Sequence, residues 1–166
     1  MPLIVEDGTG LATADSYLSE AAADAYFSDH GSPAKWTAAT APDKDAALRY
    51  AATYLNAYVW VGSVFNRIQA LAWPRNGAYD AEGRILDTGV PQRVKDAQCE
   101  LALAHLSKSI SAPLSRGGRI KAVKAGSVEV QYADGAPGVP TYPGVEDLLR
   151  GLATGKGGAN VSIFRG

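Results

Sequence analysis

Residues 91–113, PQRVKDAQCELALAHLSKSISAP, are the stretch whose reading decides the fold. Pro91 suits a helix start and Pro113 a stop, and the residues between them run at helical spacing. Val94, Ala97, Leu101 and Ala104 form one apolar stripe, while Cys99, Leu103, Leu106 and Ile110 form another. Two stripes on one helix mean burial on more than one side, so this segment is expected to be the central helix of the molecule.

Two further helices flank it upstream. The first is predicted to begin at Ser19, whose hydroxyl can cap free backbone N–H groups, with Glu20 in the first turn and Gly31 and Pro33 ending it. Ala22, Ala25, Tyr26 and Phe27 are its expected apolar side. The second follows Thr40-Ala41-Pro42-Asp43, where Thr40 and Asp43 have capping-box-like spacing. Leu48, Ala51, Ala52, Leu55 and Val59 then recur at helical spacing.

Strand signals are fewer. Ile120–Lys124 and Val128–Tyr132 flank Ala125-Gly126-Ser127, which predicts a β-hairpin over about residues 119–132. The segment from Asp134 to Gly144 is dense in Gly and Pro and reads as a loop. Residues 62–90 carry the turn signals Asn76-Gly77 and Glu82-Gly83. Downstream, Leu148, Leu149 and Leu152 close an apolar segment, and Gly155-Lys156-Gly157-Gly158 reads as a flexible link. Beyond it lie Val161-Ser162-Ile163-Phe164-Arg165, a strand-like piece that either adds to the sheet edge of another chain or frays as a terminus. The expected architecture is mainly α (α+β): a small helical core of three main helices, a projecting hairpin, long loops and an extended C-terminal arm. The expected division is a helical domain at 1–152 and a linker with arm at 153–166.

Composition excludes several classes. The chain has 166 residues, 46% hydrophobic and 20% charged, which supports one domain with a real core. A formal net charge of -1 argues against coating nucleic acid by bulk electrostatics, so any DNA contact needs a local patch. Cys99 is the single cysteine, so no intrachain disulfide forms and a cysteine-based zinc site is excluded. The N-terminal residues lack a basic start and a long apolar run, so neither export nor membrane insertion is expected.

A catalytic inventory is missing. His30 stands at a helix end, where an imidazole complements the dipole, and His105 lies among the stripes of the third helix. Neither has metal-ligand spacing. Gly155-Lys156-Gly157-Gly158 lacks the first glycine and the Ser/Thr of a phosphate-binding loop. Asp43, Asp45 and Asp96 belong to helix starts rather than to an acid/base pair. No catalysis, cofactor or metal is expected.

One ordered set of motifs is more specific than any of its parts. It comprises Ile4-Val5-Glu6-Asp7-Gly8-Thr9-Gly10 with Ser16-Tyr17, then Gln69-Ala70-Leu71-Ala72-Trp73-Pro74-Arg75-Asn76-Gly77. Val90-Pro91-Gln92-Arg93-Val94-Lys95-Asp96-Ala97 and Val128-Glu129-Val130-Gln131-Tyr132 complete it. With these motifs the chain resembles the head-tail connector (adaptor or head-completion) proteins of tailed bacteriophages, from residue 3 to nearly the end. Relatives of this kind are also labelled as resembling a primosomal single-stranded-DNA-binding protein.

The connector resemblance implies a structural neck protein in the virion, built in the host cytoplasm. It implies a homo-oligomeric ring of about twelve copies, formed by head-to-tail contacts beneath the portal protein. Such a ring extends the channel for packaged double-stranded DNA and offers a platform to the next tail or neck protein. No membrane partner is implied. The alternative label implies a single-stranded-DNA-binding protein of a phage replication system.

Particular residues carry these expectations. Val161, Ser162, Ile163, Phe164 and Arg165 are the candidate arm docking on the portal or a neighbouring subunit. Arg116, Arg119, Lys121 and Lys124 form a basic cluster that either faces DNA or guards a strand edge against unwanted pairing. Trp73-Pro74-Arg75 is either an interface anchor or a plug closing a loop onto the core, with Arg75 holding a carboxylate or carbonyl group. Tyr132 and Tyr142 are candidate subunit or tail contacts. The single-strand reading needs aromatic platforms beside basic residues, and Tyr26, Tyr54 and Tyr58 sit instead at core spacing.

Overall fold

The computed structural model describes residues 1–86, 89–107, 122–125, 128–131 and 142–156, the strands at 122–131 and the pair 155–156 by backbone alone. In chain order the helices are α1 (Glu20–Asp29), α2 (Ala34–Thr37), α3 (Ala41–Leu55), α4 (Gln92–Ser107) and α5 (Pro143–Leu148). The strands are β1 (Tyr58–Trp60), β2 (Ser63–Val64), β3 (Arg75–Asn76), β4 (Ala122–Ala125), β5 (Val128–Gln131) and β6 (Ala153–Lys156). This is a mixed α/β molecule with a small helical core and three two-stranded antiparallel sheets.

The central helix is α4, with Val94, Ala97, Leu101 and Cys99 of the two expected stripes buried and Leu103, Ala104 and Leu106 half-buried, while Ile110 and the expected end before Pro113 lie outside the described residues. It packs most extensively on α3 and also meets α1, α2 and α5. Val94, Ala97, Cys99, Leu101 and Ala102 are buried along it, facing Ala47, Leu48, Ala51, Ala52 and Leu55 of α3. The small side chains let the two helices approach closely, and Leu48, Leu55 and Leu101 fill the space between. Gln98 lies fully buried at this contact. Its amide accepts from the Tyr17 N–H at 2.9 Å and donates to Ser16 Oγ at 2.8 Å and to the Leu48 carbonyl at 2.9 Å. One side chain thereby ties the N-terminal segment to both main helices, with its polar atoms satisfied.

The helix starts follow local chemistry. Ser19 Oγ accepts from Ala22 N–H at 3.2 Å, and Thr40 Oγ1 accepts from Asp43 N–H at 3.4 Å, each capping a free donor. His30 caps the end of α1, its Nδ1 2.7 Å from the Tyr26 carbonyl. The buried side of α1 is Ala23 and Phe27 with half-buried Tyr26, whereas Ala22 and Ala25 point to solvent. Alanine carries too little apolar area to set a helix face, so Phe27 sets it, against Trp36 at 4.6 Å between ring centroids.

Three sequence expectations are corrected here. Val59 does not extend α3: the helix ends at Leu55 and Val59 lies in β1, exposed between buried Tyr58 and Trp60. Its apolar spacing matched a helix, but Tyr58-Val59-Trp60 is a strand-forming triplet whose alternation is the stronger signal. Pro143 and Gly144 do not close the preceding loop but open α5, with proline in the first turn where its missing N–H costs nothing. Gly155 and Lys156 belong to β6, not to a linker: β6 pairs with β1 in the register Trp60↔Ala153 and Tyr58↔Lys156. The predicted hairpin is β4 and β5, joined in the register Val123↔Val130 and Lys124↔Glu129.

Candidate functional surface

The segment between β1 and α4 has little regular structure, yet it is held by specific bonds. Trp73 is fully buried and meets Trp60 edge to face at 5.8 Å, while Trp60 Nε1 donates to the Leu55 carbonyl at 3.0 Å. Trp73 therefore plugs the loop onto the core, through a cis bond to Pro74. Arg75 sits half-buried behind it. Its guanidinium donates to three carbonyls: Val61 at 2.6 Å, Ala72 at 3.0 Å and Gly62 at 2.9 Å. Burial lowers its pKa from the usual arginine value, and the carbonyl bonds satisfy three of its five donors. Arg75 is a clamp between the strands, consistent with carbonyl rather than carboxylate holding.

The tip of this segment, residues 65–69, is closed by its own side chains. Asn66 Oδ1 accepts from Ile68 N–H at 3.2 Å, and Gln69 Oε1 accepts from Asn66 N–H at 2.8 Å. Gln69 Nε2 then donates to the Leu71 and Pro74 carbonyls at 2.7 and 3.1 Å. The polar groups turn inward, so Val64, Phe65, Arg67 and Ile68 are left outside. Phe65 is 46% exposed and Ile68 68% exposed. Beside them a shallow groove of about 460 Å³ runs between Val59, Val64 and Ala72, with Asn56 and Arg75 at its polar positions. Asn56 fixes its wall by accepting from Ala72 N–H at 2.9 Å.

The N-terminal loop supports this tip from behind. Glu6 is buried, and its carboxylate accepts three backbone N–H bonds: from Gly8 and Gly10 at 2.9 Å and from Leu11 at 2.8 Å. This wrap needs the left-handed backbone of Gly8 (φ 97) and Gly10 (φ 76). It also needs a bare Cα at Gly10, where a Cβ would stand 2.9 Å from Asn66 Cβ. The Leu11 carbonyl then accepts from Ala70 N–H at 2.9 Å, joining the two loops.

Charge is unevenly distributed over this region. Between Asp45 and Asp80 the chain has no acidic residue and three arginines, Arg49, Arg67 and Arg75. Arg49 is paired with Asp15 at 2.7 Å. Arg67 is exposed and makes no ion pair among the described residues. The next hairpin differs: Tyr79 and Ile85 bridge across a turn in which Arg84 pairs with Asp80 at 2.6 Å and Glu82 at 3.2 Å.

The sequence candidates fall as follows. Trp73, Pro74 and Arg75 come together as the plug and clamp described above. Tyr142 is half-buried just before α5, its ring edge-on to Tyr54 at 5.8 Å. Lys124 lies in β4 opposite Glu129, while Arg116, Arg119, Lys121 and Tyr132 lie outside the described residues. So do Val161, Ser162, Ile163, Phe164 and Arg165. Cys99 is buried, which raises its thiol pKa, and burial lowers that of His105, which stacks on Tyr50 at 4.4 Å. Among the described residues no cluster of three or more His, Cys, Asp or Glu could hold a metal ion, and no helix is long and apolar enough to cross a membrane. Phe65 and Arg67 were not singled out by motif, although the acid-free run around them was visible in the sequence.

A family model described as "Putative DnaT-like ssDNA binding protein" matches residues 1–166. No curated protein and no solved structure matches the chain.

Proposed function

The chain belongs, over its whole length, to the DnaT-like ssDNA-binding protein family, and on that premise we propose that it is a non-enzymatic protein that binds single-stranded DNA. The observation that carries this reading is the end-to-end family match. Physical support comes from Arg67, an exposed arginine in the acid-free stretch between Asp45 and Asp80 that makes no ion pair among the described residues, on a chain of net charge -1. An exposed aromatic ring, Phe65, two positions from an arginine that makes no ion pair among the described residues suits unstacked bases, whose flat faces a duplex hides.

The experiment is a fluorescence-anisotropy titration of a labelled oligothymidylate of about 16 nucleotides at several salt concentrations. Binding at low salt, with log affinity falling linearly against log salt, supports the reading. Equal preference for a duplex of the same length weakens the single-strand assignment, and no binding at low salt removes it.

A second reading is favoured by Val59, Val64 and Ile68, because exposed aliphatics serve protein contacts better than phosphate or base contacts. On this reading the protein is the neck component that the connector resemblance implies, a ring on a portal and beneath a tail, in the virion. Native mass spectrometry of the protein with a portal ring and an oligonucleotide separates the two. Many copies loaded on the portal with the oligonucleotide free favours the neck. Oligonucleotide complexes without portal loading favour single-strand binding.

A further inference from the structure

We infer that the tip of the β2–β3 segment is the single-strand contact, with the Phe65 ring as a stacking platform for one base and Arg67 as its phosphate partner. This inference rests on the reading of the preceding subsection and assigns it a place.

Stacking requires a ring whose face is free. Three exposed aromatics occur among the described residues: Tyr50, Phe65 and Tyr79. Tyr50 has its face covered by His105. Tyr79 shares its turn with Asp80 and Glu82, and the arginine there, Arg84, is already paired to both. Phosphate approaching Tyr79 has to compete with the exposed Glu82 and with Asp80 for the one arginine there. Phe65 makes no ring contact among the described residues, and the cation two positions along, Arg67, makes no ion pair among them.

Affinity also needs a surface that does not have to be ordered on binding. The Asn66–Gln69 bonds close the tip, the Arg75 clamp fixes its base, and Gly10 lets the N-terminal loop support it from behind. The groove beside Val64 contains no acidic side chain. As a shallow groove of about 460 Å³ it leaves room for a neighbouring base or sugar to rest against Val59 and Ala72. Asn56 and Arg75 supply the polar positions, although both are largely occupied by internal bonds. The site therefore stacks bases without reading their identity.

The test uses the full chain and the labelled oligothymidylate. Phe65→Ala is expected to weaken binding about tenfold, whereas Phe65→Trp retains it. Arg67→Gln is expected to reduce the magnitude of the salt slope by about 0.7, the contribution of one phosphate contact on a single strand. Tyr79→Ala serves as the exposed-aromatic control and is expected to bind as wild type. Both site residues are exposed, so thermal unfolding should be unchanged, which separates loss of the site from loss of the fold. Wild-type binding with no effect of Phe65→Ala or Arg67→Gln overturns the site and leaves the single-strand function standing. Absence of wild-type binding overturns that function and the site with it. Altered self-association of Phe65→Ala, with its oligonucleotide affinity intact, makes this face a protein interface and also overturns the site.

Discussion

The α3–α4 contact and the β1-to-α4 segment reach order by opposite means. In the first, Leu48, Leu55, Val94 and Leu101 are buried in one apolar core, and the buried Gln98 amide bonds across the contact to the Leu48 carbonyl. In the second, long polar side chains hold the backbone: Arg75 on three carbonyls, Gln69 on two and Asn56 on the 70–72 turn, while Glu6 holds the N-terminal loop behind it by three N–H groups. Apolar packing gives stability without fixing an outer shape in detail. Side-chain-to-backbone bonds contribute less each, but they set where every exposed residue stands. The proposed contact through Phe65 and Arg67, which needs both in fixed positions, is better served by the second kind.

The comparison breaks most visibly in the core. Leu101→Ala should cost about 3–4 kcal/mol in denaturant unfolding, because the close-packed α3–α4 contact cannot collapse around the lost side chain. Arg75→Met should cost about 2 kcal/mol, and its effect should be local. Hydrogen exchange should quicken at residues 61–78 while α4 amides keep their protection. Equal loss of protection in α4 would mean that the two regions form one cooperative unit and that the contrast drawn here is false.

Two smaller changes sharpen it. Gly10→Ala and Gly31→Ala both place a Cβ on a left-handed backbone, but only Gly10 has a neighbour in the way. Gly31→Ala should cost about 1 kcal/mol and Gly10→Ala about 2, with the larger loss accompanied by weaker oligonucleotide binding if the 65–69 tip shifts. Equal costs would show that the Asn66 contact yields freely. The smallest effect concerns Asp24. Burial pushes its carboxyl pKa up, but bonds from Lys44 and Trp36 outweigh this and hold it below the usual value. A lowered carboxyl contributes stability above about pH 4 that is lost as pH falls through its folded value. The side chain is 47% exposed, so Asp24→Asn should remove only a few tenths of a kcal/mol at neutral pH. The difference from wild type should vanish in strong acid.

What was legible in the sequence follows the same division. The caps at Ser19 and Thr40 and the stripes of α4 were readable because helix signals are local and repeat every turn. The β1–β6 pair was not, since each strand is three or four residues long and its partner lies far along the chain. Pro143-Gly144 was read as loop although proline is as much at home in a first helical turn. The plug role of Trp73 is one of the two readings its sequence setting allows, but the three carbonyls that Arg75 holds come from folded geometry that no spacing displays. Phe65 and Arg67 could have been found by their setting rather than by a motif, through the missing acidic residues on either side.

The β1–β6 pairing also imposes an order in time. The partner of Trp60 is Ala153, so β1 cannot be completed until residue 153 has been made. At ordinary synthesis rates Tyr58 and Trp60 wait roughly 5–20 s for it. During that interval the ribosome carries a chain with an open strand edge close to Val64 and Phe65. Interrupted synthesis before residue 153 would leave that edge open for good, a form suited to pairing with another unfinished copy.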